Sequence, residues 1–535
     1  MTAAYIATSE QQRLASLHAT IKRILEISGA PGMSIAVVHH GQTIHTAHYG
    51  YRDAEKRIPP DSDTRYSMNS MTKAVVAEAA GMLDEEGVID MHEPVKKTLP
   101  NFYSQSKEVE EQASLIDLLS HRSGITNFDT IWLGSYNSLL VGRDQVLPIF
   151  STLKPKLPFR TSFLYNNWGY EVTREVMEKK TGKPLGDILG ERIFQPLGMT
   201  RTSTSWECTD DNVMKSYGVL HDLSPVDCGR PQIGQGTVME AAGGTKTTLN
   251  DLIRLYKAFM KACIDQFEHG RDSTLGSIFK NCRTLISNHA RLPGLSFREQ
   301  GYATGWVRTQ FPGQLGRLSF NSPVGPSPVV GKDSPSRLGL SHNGFMPGST
   351  TCVHLLLETE TAIIVLQNSY GANDSADIIG QLLIEHLFDV KAKNDYVSLA
   401  EIYTRNSLNI PNSLRLKLDA ARIPGTKSRE LSNYVGRYFN EIKNYYIEVF
   451  LEGESLKFSL QGSVLDTYEL RHYHYDAFEW LLTWDQMAAR GRVVQLYGTQ
   501  FYVLFFGADK DDKICCIEWA WDPNRSDDRE IFTKA

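Results

Sequence analysis

The stretch Tyr66-Ser-Met-Asn-Ser-Met-Thr-Lys-Ala-Val-Val-Ala77 decides the reading of this chain, because it sets Lys73 three positions after Ser70 where a helix begins. Side chains at i and i+3 share a helix face, so the Lys73 amine can take the Ser70 proton, or hold a nearby base ionised, without a histidine triad. The spacing also occurs at Ser104/Lys107, Ser151/Lys154 and Ser277/Lys280, and context separates these from Ser70. Ser104 lies in a polar stretch, Pro155 after Lys154 disfavours a continuing helix, and Ser277 has no companion motif. Only Ser70 opens a run of small and apolar residues, from Ala74 to Leu83, that predicts a buried helix ending near Gly87.

Upstream of that run, Leu14, Leu17, Ile21, Ile24 and Leu25 recur at helical spacing, and Gly29-Ala-Pro-Gly32 breaks the helix before an apolar strand, Met33 to Val38. His40-Gly41-Gln42 turns the chain back into a second strand, Thr43 to Tyr49. His39, His40, His45 and His48 crowd this hairpin, and solvated or cross-strand histidines account for them better than a metal site. Downstream the pattern is mainly helical between about 100 and 260. The stretch 312–340, rich in Pro, Gly and Ser, reads as a long loop, and Leu338 to Ser369 returns to β signal with Thr361 to Gln367 as a buried strand. Ile378, Ile379, Leu382, Leu383 and Leu387 then predict a closing helix over the same sheet as the first.

From 391 the composition shifts to a polar linker with some helix, and from Leu431 to short strands separated by turns. Tyr445 to Leu451, the turn Glu452-Gly-Glu454 and Ser455 to Leu460 read as a hairpin. Glu479 to Trp484, Thr499 to Phe506 and Ile514 to Trp521 are further strand candidates, which together predict a small antiparallel barrel or sandwich. The expected layout is therefore a catalytic domain over 1–390, a linker over 391–430 and a β domain over 431–535. The aromatic residues Tyr473, Tyr475, Trp480, Trp484, Trp519 and Trp521 fit the core of that β domain.

At 535 residues, 41% hydrophobic and 22% charged with a net charge of -6, the chain has the balance of a soluble globular protein, and nothing implies a nucleic-acid partner. Seven scattered cysteines without a Cys-x-x-Cys pair support neither a disulfide framework nor a structural zinc site, and no cofactor is implied. The first residues lack a signal-peptide pattern and no stretch is apolar enough to span a bilayer, so a cytosolic protein without membrane attachment is expected. Oligomeric state is not encoded.

A serine nucleophile needs a base, an oxyanion hole and a pocket wall. Tyr165-Asn166-Asn167 places a phenol and two amides before a helix containing Val172, Val176 and Met177. His342-Asn343-Gly344 precedes the strand pattern at Val353, with a glycine that permits close backbone approach. Taken in order, Ser70-x-x-Lys73, Tyr165-x-Asn167 and His342-x-Gly344 resemble the serine β-lactamase and penicillin-binding-protein superfamily, closest to its class C-like esterase branch. Leu118-Leu-Ser-His-Arg-Ser-Gly-Ile, Ile193-Phe-Gln-Pro-Leu-Gly-Met and Ala242-Gly-Gly-Thr support the resemblance, which covers roughly residues 10 to 390. It implies an α+β fold, an antiparallel sheet flanked by helices plus a helical subdomain, and the β domain resembles the lipocalin-like barrels appended to some D-aminopeptidase relatives.

By the same resemblance Ser70 forms an acyl-enzyme, with Lys73 and Tyr165 as a coupled proton relay. The resting base stays open, since a nearby ammonium favours phenolate and burial favours neutral lysine. The backbone N–H groups of Ser70 and Phe345, after Gly344, are implied as the oxyanion hole, Asn167 as the residue holding Lys73 and a polar group of the substrate, and His342 as part of the far wall. His342 stands where lactamases often carry lysine, which argues against antibiotic hydrolysis and for an ester or amide of another small molecule. Three functions compete: a serine hydrolase, suited to biosynthesis of a small natural product; an acyltransferase passing the acyl group to an alcohol or amine; and a catalytically inactive binding module. Gly-x-Ser-x-Gly and His-Glu-x-x-His do not occur.

Overall fold

The computed structural model describes residues 8–206, 210–294, 296–492, 498–522 and 529–535. The predicted first helix is two, α1 (Ser9–Ala15) and α2 (His18–Ser28), and α2 ends on Gly29 in the left-handed conformation at φ 71°, where glycine carries no Cβ penalty. The hairpin follows as β1 (Gly32–His39) and β2 (Gln42–Gly50). The helix behind Ser70 is α3 (Thr72–Glu85), buried on every side from Thr72 to Leu83, as its run of small and apolar residues requires. Two longer helices, α4 (Asn167–Thr181) and α5 (Leu249–His269), complete the helical side.

Strands β3 (Ala290–Arg291), β4 (Gln300–Tyr302), β5 (Val307–Phe311), β6 (Arg337–Met346), β7 (Ser349–Leu356) and β8 (Thr361–Gln367) join the hairpin in one eight-stranded antiparallel sheet of order β2-β1-β8-β7-β6-β5-β4-β3. Its central strands are buried on both faces, and β1 and β8 read accordingly as mainly apolar runs, while β7 buries Ser349, Thr350, Thr351 and His354 as well. Ile35, Val37, Cys352, Ile363 and Val365 face one core with α1, α2 and α6 (Ser375–Leu387). Ala36, Val38, Val353, Ile364 and Leu366 face the other, with α3, α4 and α5. Each fully buried Val, Leu or Ile contributes about 1.5–3 kcal/mol, and this two-faced burial fixes the register that carries β6 past Ser70.

The segment expected as a polar linker holds α7 (Tyr396–Leu408) and α8 (Ile410–Ala421). Tyr396, Ala400 and Tyr403 of α7 belong to the core beneath α1 and α2. The β domain is a closed barrel of β9 (Gly436–Phe439), β10 (Tyr446–Glu452), β11 (Ser455–Leu460), β12 (Thr467–His474), β13 (Ala477–Glu479), β14 (Tyr502–Ala508), β15 (Ile514–Trp519) and β16 (Glu530–Lys534), each strand paired with the next and β16 with β9. Closure leaves no free strand edge, and Phe458, Tyr468, Trp480, Phe501, Trp519 and Trp521 fill the interior. The candidate strand Glu479 to Trp484 is corrected: only Glu479 is in a strand, and Thr483 caps α9 (Trp484–Ala489) through a capping box with Gln486.

The barrel sits against the catalytic domain along residues 128–145. Phe128 meets Trp521 edge to face at 4.6 Å, Ser135 N–H donates to Asp466 at 2.7 Å, and Arg492 donates to the Leu133 carbonyl at 2.9 Å. Trp484 Nε1 donates to the Val219 carbonyl at 2.7 Å. Among the described residues no helix is long and apolar enough to cross a membrane. Six cysteines are free thiols, and Cys208 lies outside the described residues.

Candidate active site

Ser70 lies in the one-turn 3-10 segment Asn69–Met71 that leads into α3. The turn is held from behind. Asn69 takes φ 51°, uncommon for a residue with a side chain, and accepts from Ser67 Oγ at 2.7 Å while donating to the Ser349 carbonyl and hydroxyl at 3.2 and 3.1 Å. One turn later, Lys73 Nζ stands 3.2 Å from Ser70 Oγ and donates to the Ala242 carbonyl at 2.7 Å. Burial pulls the Lys73 amine from its ordinary value down to about 7, against the opposing pull of the Asp129 and Glu171 carboxylates.

The Tyr165 hydroxyl hydrogen-bonds the Ser70 side chain, and burial pushes the phenol well above its ordinary range, so it stays protonated at neutral pH. Its ring lies 4.9 Å from Lys73 Nζ and 4.3 Å from the His121 ring. His121 is tied to the fold: its Nδ1 accepts the Asn166 N–H at 3.1 Å, and Asn166 caps α4 by accepting from Gly169 N–H.

Asn167 differs from expectation. Its Nδ2 donates to both Asp129 oxygens at 3.0 Å, and no hydrogen bond joins it to Lys73. As the first residue of α4 it is aimed at the loop that brings Asp129 across the site. Asp129 also accepts from Trp132 Nε1 at 2.7 Å and Asn127 Nδ2 at 2.5 Å. Burial raises its carboxyl pKa, with Asn167, Trp132 and Lys73 working in the other direction. Asp129, at the start of the 3-10 turn Asp129–Ile131, is the one acid among the described residues lining the cavity, and no motif spacing marked it in the sequence.

Gly344 on β6 lies beside the turn that carries Ser70: a Cβ there would stand 2.1 Å from Thr351 Oγ1, 2.8 Å from the Met68 carbonyl oxygen and 3.0 Å from Asn69 Cβ. The glycine is needed for strand-to-turn contact within the protein itself. Phe345, next in the strand, lines the same cavity as Ser70. His342 sits behind the lining rather than on it, with Nδ1 donating to the Asn343 carbonyl at 2.7 Å and Nε2 accepting from Tyr302 OH at 3.0 Å. Burial lowers its pKa to about 3, so the ring is neutral.

Ser70, Tyr165, Asn167 and Phe345 therefore share one cavity of about 390 Å³ with Asp129, Trp132, Leu133, Met239, Ala242 and, from the barrel side, Gly491 and Arg492. That volume suits a small molecule. Among the described residues one group, Cys352, His354 and Asp377, has three metal-capable atoms within 4.8 Å of one another. It lies across the sheet from Ser70, with Cys352 Sγ 3.0 Å from His354 Nε2 and Asp377 engaged by Asn343 and Gln381.

A family model described as Beta-lactamase matches residues 17–387, and one described as a domain of unknown function, DUF3471, matches residues 420–534. The chain is similar to the unguisins hydrolase ungD' of Aspergillus campestris, 23% identical over 349 residues that make up 63% of this chain and 63% of that protein. It is similar to a D-aminopeptidase of Cereibacter sphaeroides, 27% identical over 239 residues and 43% of each. The match thus spans less than two thirds of either relative. In fold it is like the octameric penicillin-binding protein homologue from Pyrococcus abyssi, at a TM-score of 0.55 and 20% identity over 97% of this chain and 100% of that one. Since the first model runs from α2 through the Ser70 turn to the end of α6, the chain belongs to the Beta-lactamase family.

Proposed function

We propose that the protein is a serine hydrolase that forms an acyl-enzyme on Ser70 and cleaves an ester or amide of a small molecule. The observation that carries this is the buried Lys73 amine 3.2 Å from Ser70 Oγ, with its pKa drawn down to about 7. A lysine drawn down towards neutrality is suited to act as general base, which favours Lys73 over a Tyr165 phenolate as the resting base. Ser70 Oγ attacks the substrate carbonyl and its proton passes to Lys73 Nζ. The Ala242 carbonyl holds the amine in place and stabilises the ammonium once formed.

The oxyanion of the tetrahedral intermediate is assigned to the backbone N–H groups of Ser70 and Phe345, each donor worth about 2.7–4 kcal/mol in such sites. Tyr165, bonded to Ser70 and protonated, delivers a proton to the leaving alcohol or amine and is restored from Lys73. Water then attacks the acyl-enzyme by the reverse route. Asp129 is a positioning residue: it bridges Asn167 to the Lys73 field and offsets the cost of an ammonium in a buried site. The names of the relatives, a hydrolase of unguisins and a D-aminopeptidase, support hydrolysis over acyl transfer and a natural-product or amide substrate.

The test is turnover of a panel of activated esters and D-amino-acid amides by the wild-type protein and by Ser70→Ala. Loss of all turnover in a folded Ser70→Ala protein is expected. Retention of more than a trace moves the nucleophile elsewhere.

A further inference from the structure

The Ser70 cavity has one wall that the catalytic domain does not supply. Gly491 and Arg492 follow α9 of the barrel domain and reach the cavity that Ser70 lines. Among the described residues lining it, Arg492 is the only cation and Asp129 the only acid. The Asp129 charge is committed, since its oxygens accept from Asn167, Trp132 and Asn127.

The placement of Arg492 is built rather than incidental. Thr483 caps α9, Trp484 Nε1 donates to the Val219 carbonyl, and the Ala488 carbonyl packs so closely on Gly218 that a Cβ there would stand 2.3 Å away. Tyr136 N–H donates to the Arg490 carbonyl at 2.6 Å. Gly491, at φ 59°, lies against Cys228 and Pro347, where a Cβ would meet three atoms at 3.1–3.3 Å. These contacts press the segment onto the catalytic domain and leave the Arg492 side chain only 13% exposed.

The guanidinium is incompletely used. Among the described residues its one hydrogen bond runs from Nη1 to the Leu133 carbonyl, and Asp466 lies 3.6 Å from the same nitrogen. Asp466 in turn accepts from Ser135 N–H and the Tyr468 hydroxyl. The Nε–Nη2 edge, two parallel donors whose spacing matches a carboxylate, has no hydrogen-bond partner among the described residues. Arg492 Cζ also lies 5.9 Å over the Tyr468 ring, and a guanidinium held in this way in the wall of a cavity suits a carboxylate better than a neutral group.

We propose that Arg492, carried into the Ser70 cavity by the barrel, is a specificity-determining residue that receives a carboxylate of the substrate on its Nε–Nη2 edge. The inference rests on the reading of Ser70 as the acyl-enzyme nucleophile and names the class of substrate: an ester or amide with a free carboxylate in its acyl half. It gives the barrel a part in recognition, and it puts the fixed cation at the end of the cavity facing the barrel instead of at His342.

The test uses the full-length protein and two p-nitrophenyl esters, the butyrate and the hemiglutarate, the second carrying a carboxylate in place of a terminal hydrogen of the first. The readout is the ratio of kcat/KM for the anionic ester to that for the neutral one. Arg492→Met should lower this ratio at least tenfold, mainly through KM of the hemiglutarate, and Arg492→Lys should recover only part of it, because a lysine restores charge without the paired donors. Ser70→Ala tests the underlying reading separately, by turnover of the neutral ester. A ratio within twofold of wild type in Arg492→Met, even with both esters slowed, overturns the proposal and leaves Arg492 a structural tie to Leu133. Should Arg492→Met fail to fold by circular dichroism, Arg492→Lys carries the test, and an unchanged ratio in it is equally fatal.

Discussion

Adding one methyl group at Gly344 probes whether β6 holds the nucleophile turn in register. The new Cβ would overlap Thr351 Oγ1 at 2.1 Å and the Met68 carbonyl oxygen at 2.8 Å, where ordinary contact begins near 3.4 Å. Rotating the Thr351 hydroxyl away breaks its 3.2 Å bond to the Met68 carbonyl. The Met68 carbonyl is backbone and moves only with the turn that carries Ser70. Relief of the overlap therefore separates strand and turn by on the order of 1 Å, and a misplacement of that size costs roughly 100-fold in rate. Overpacking of this kind destabilises by about 1–3 kcal/mol. The assay is kcat/KM of Gly344→Ala for a small activated ester, with thermal unfolding followed in parallel. A fall of roughly 100-fold, mostly in kcat, is expected in a folded protein with a lowered midpoint. Adding Thr351→Ala removes the shorter overlap and leaves the longer one, so it should restore part of the rate. Wild-type kinetics with an unchanged midpoint would mean that the strand-to-turn contact does not position Ser70.

With Lys73 proposed as the base and its pKa drawn down to about 7 by burial, kcat/KM should rise with pH through that value and fall about tenfold per unit below it. His342, at about 3, and the raised Tyr165 phenol add no limb there; a profile flat down to pH 5 contradicts the assignment. Asp129→Asn removes a charge that favours the ammonium, so the limb should move to lower pH, and a shift upward would reverse the sign of the argument. Lys73→Met and Tyr165→Phe should each lower kcat by several orders of magnitude with the double variant little worse than the poorer single, whereas additive losses would mean two independent groups. Asp466→Ala strips the partner from buried Arg492 and an acceptor from the Ser135 N–H, and breaking a buried pair in this way costs about 3–5 kcal/mol, to be read by urea unfolding. A loss below 1 kcal/mol would show that the barrel contact bears little of the fold.

The parts of this molecule that were legible in the sequence are those written in local pattern. Gly29 ended a helix because only its backbone enters the left-handed region cheaply, and Thr361 to Gln367 read as a strand because both of its faces are buried. Ser70 and Lys73 met because three residues on a helix start bring side chains together. The apolar run Trp480-Leu-Leu suggested a strand, while Thr483-x-x-Gln486 just after it already carried the capping box of α9. Some helix was expected in the polar stretch 391–430, but its composition did not show that the apolar face of α7 meets the first helices from nearly the other end of the chain. Asp129 and Arg492 were not legible at all. Each owes its place to tertiary packing: Asp129 to the start of α4, and Arg492 to an α9 docked on residues 218–219, reaching a carbonyl 359 positions away in the chain.

An acyl group carried on Ser70 would be visible as added mass. Intact-protein mass spectrometry, quenched in acid within the first turnovers on a slowly deacylating ester, measures this directly. One added acyl mass per chain is expected, mapped by peptide sequencing to Ser70 within residues 66–77 and absent from Ser70→Ala. An adduct on any other residue, or multiple turnovers with no adduct at any quench time and pH, would contradict it.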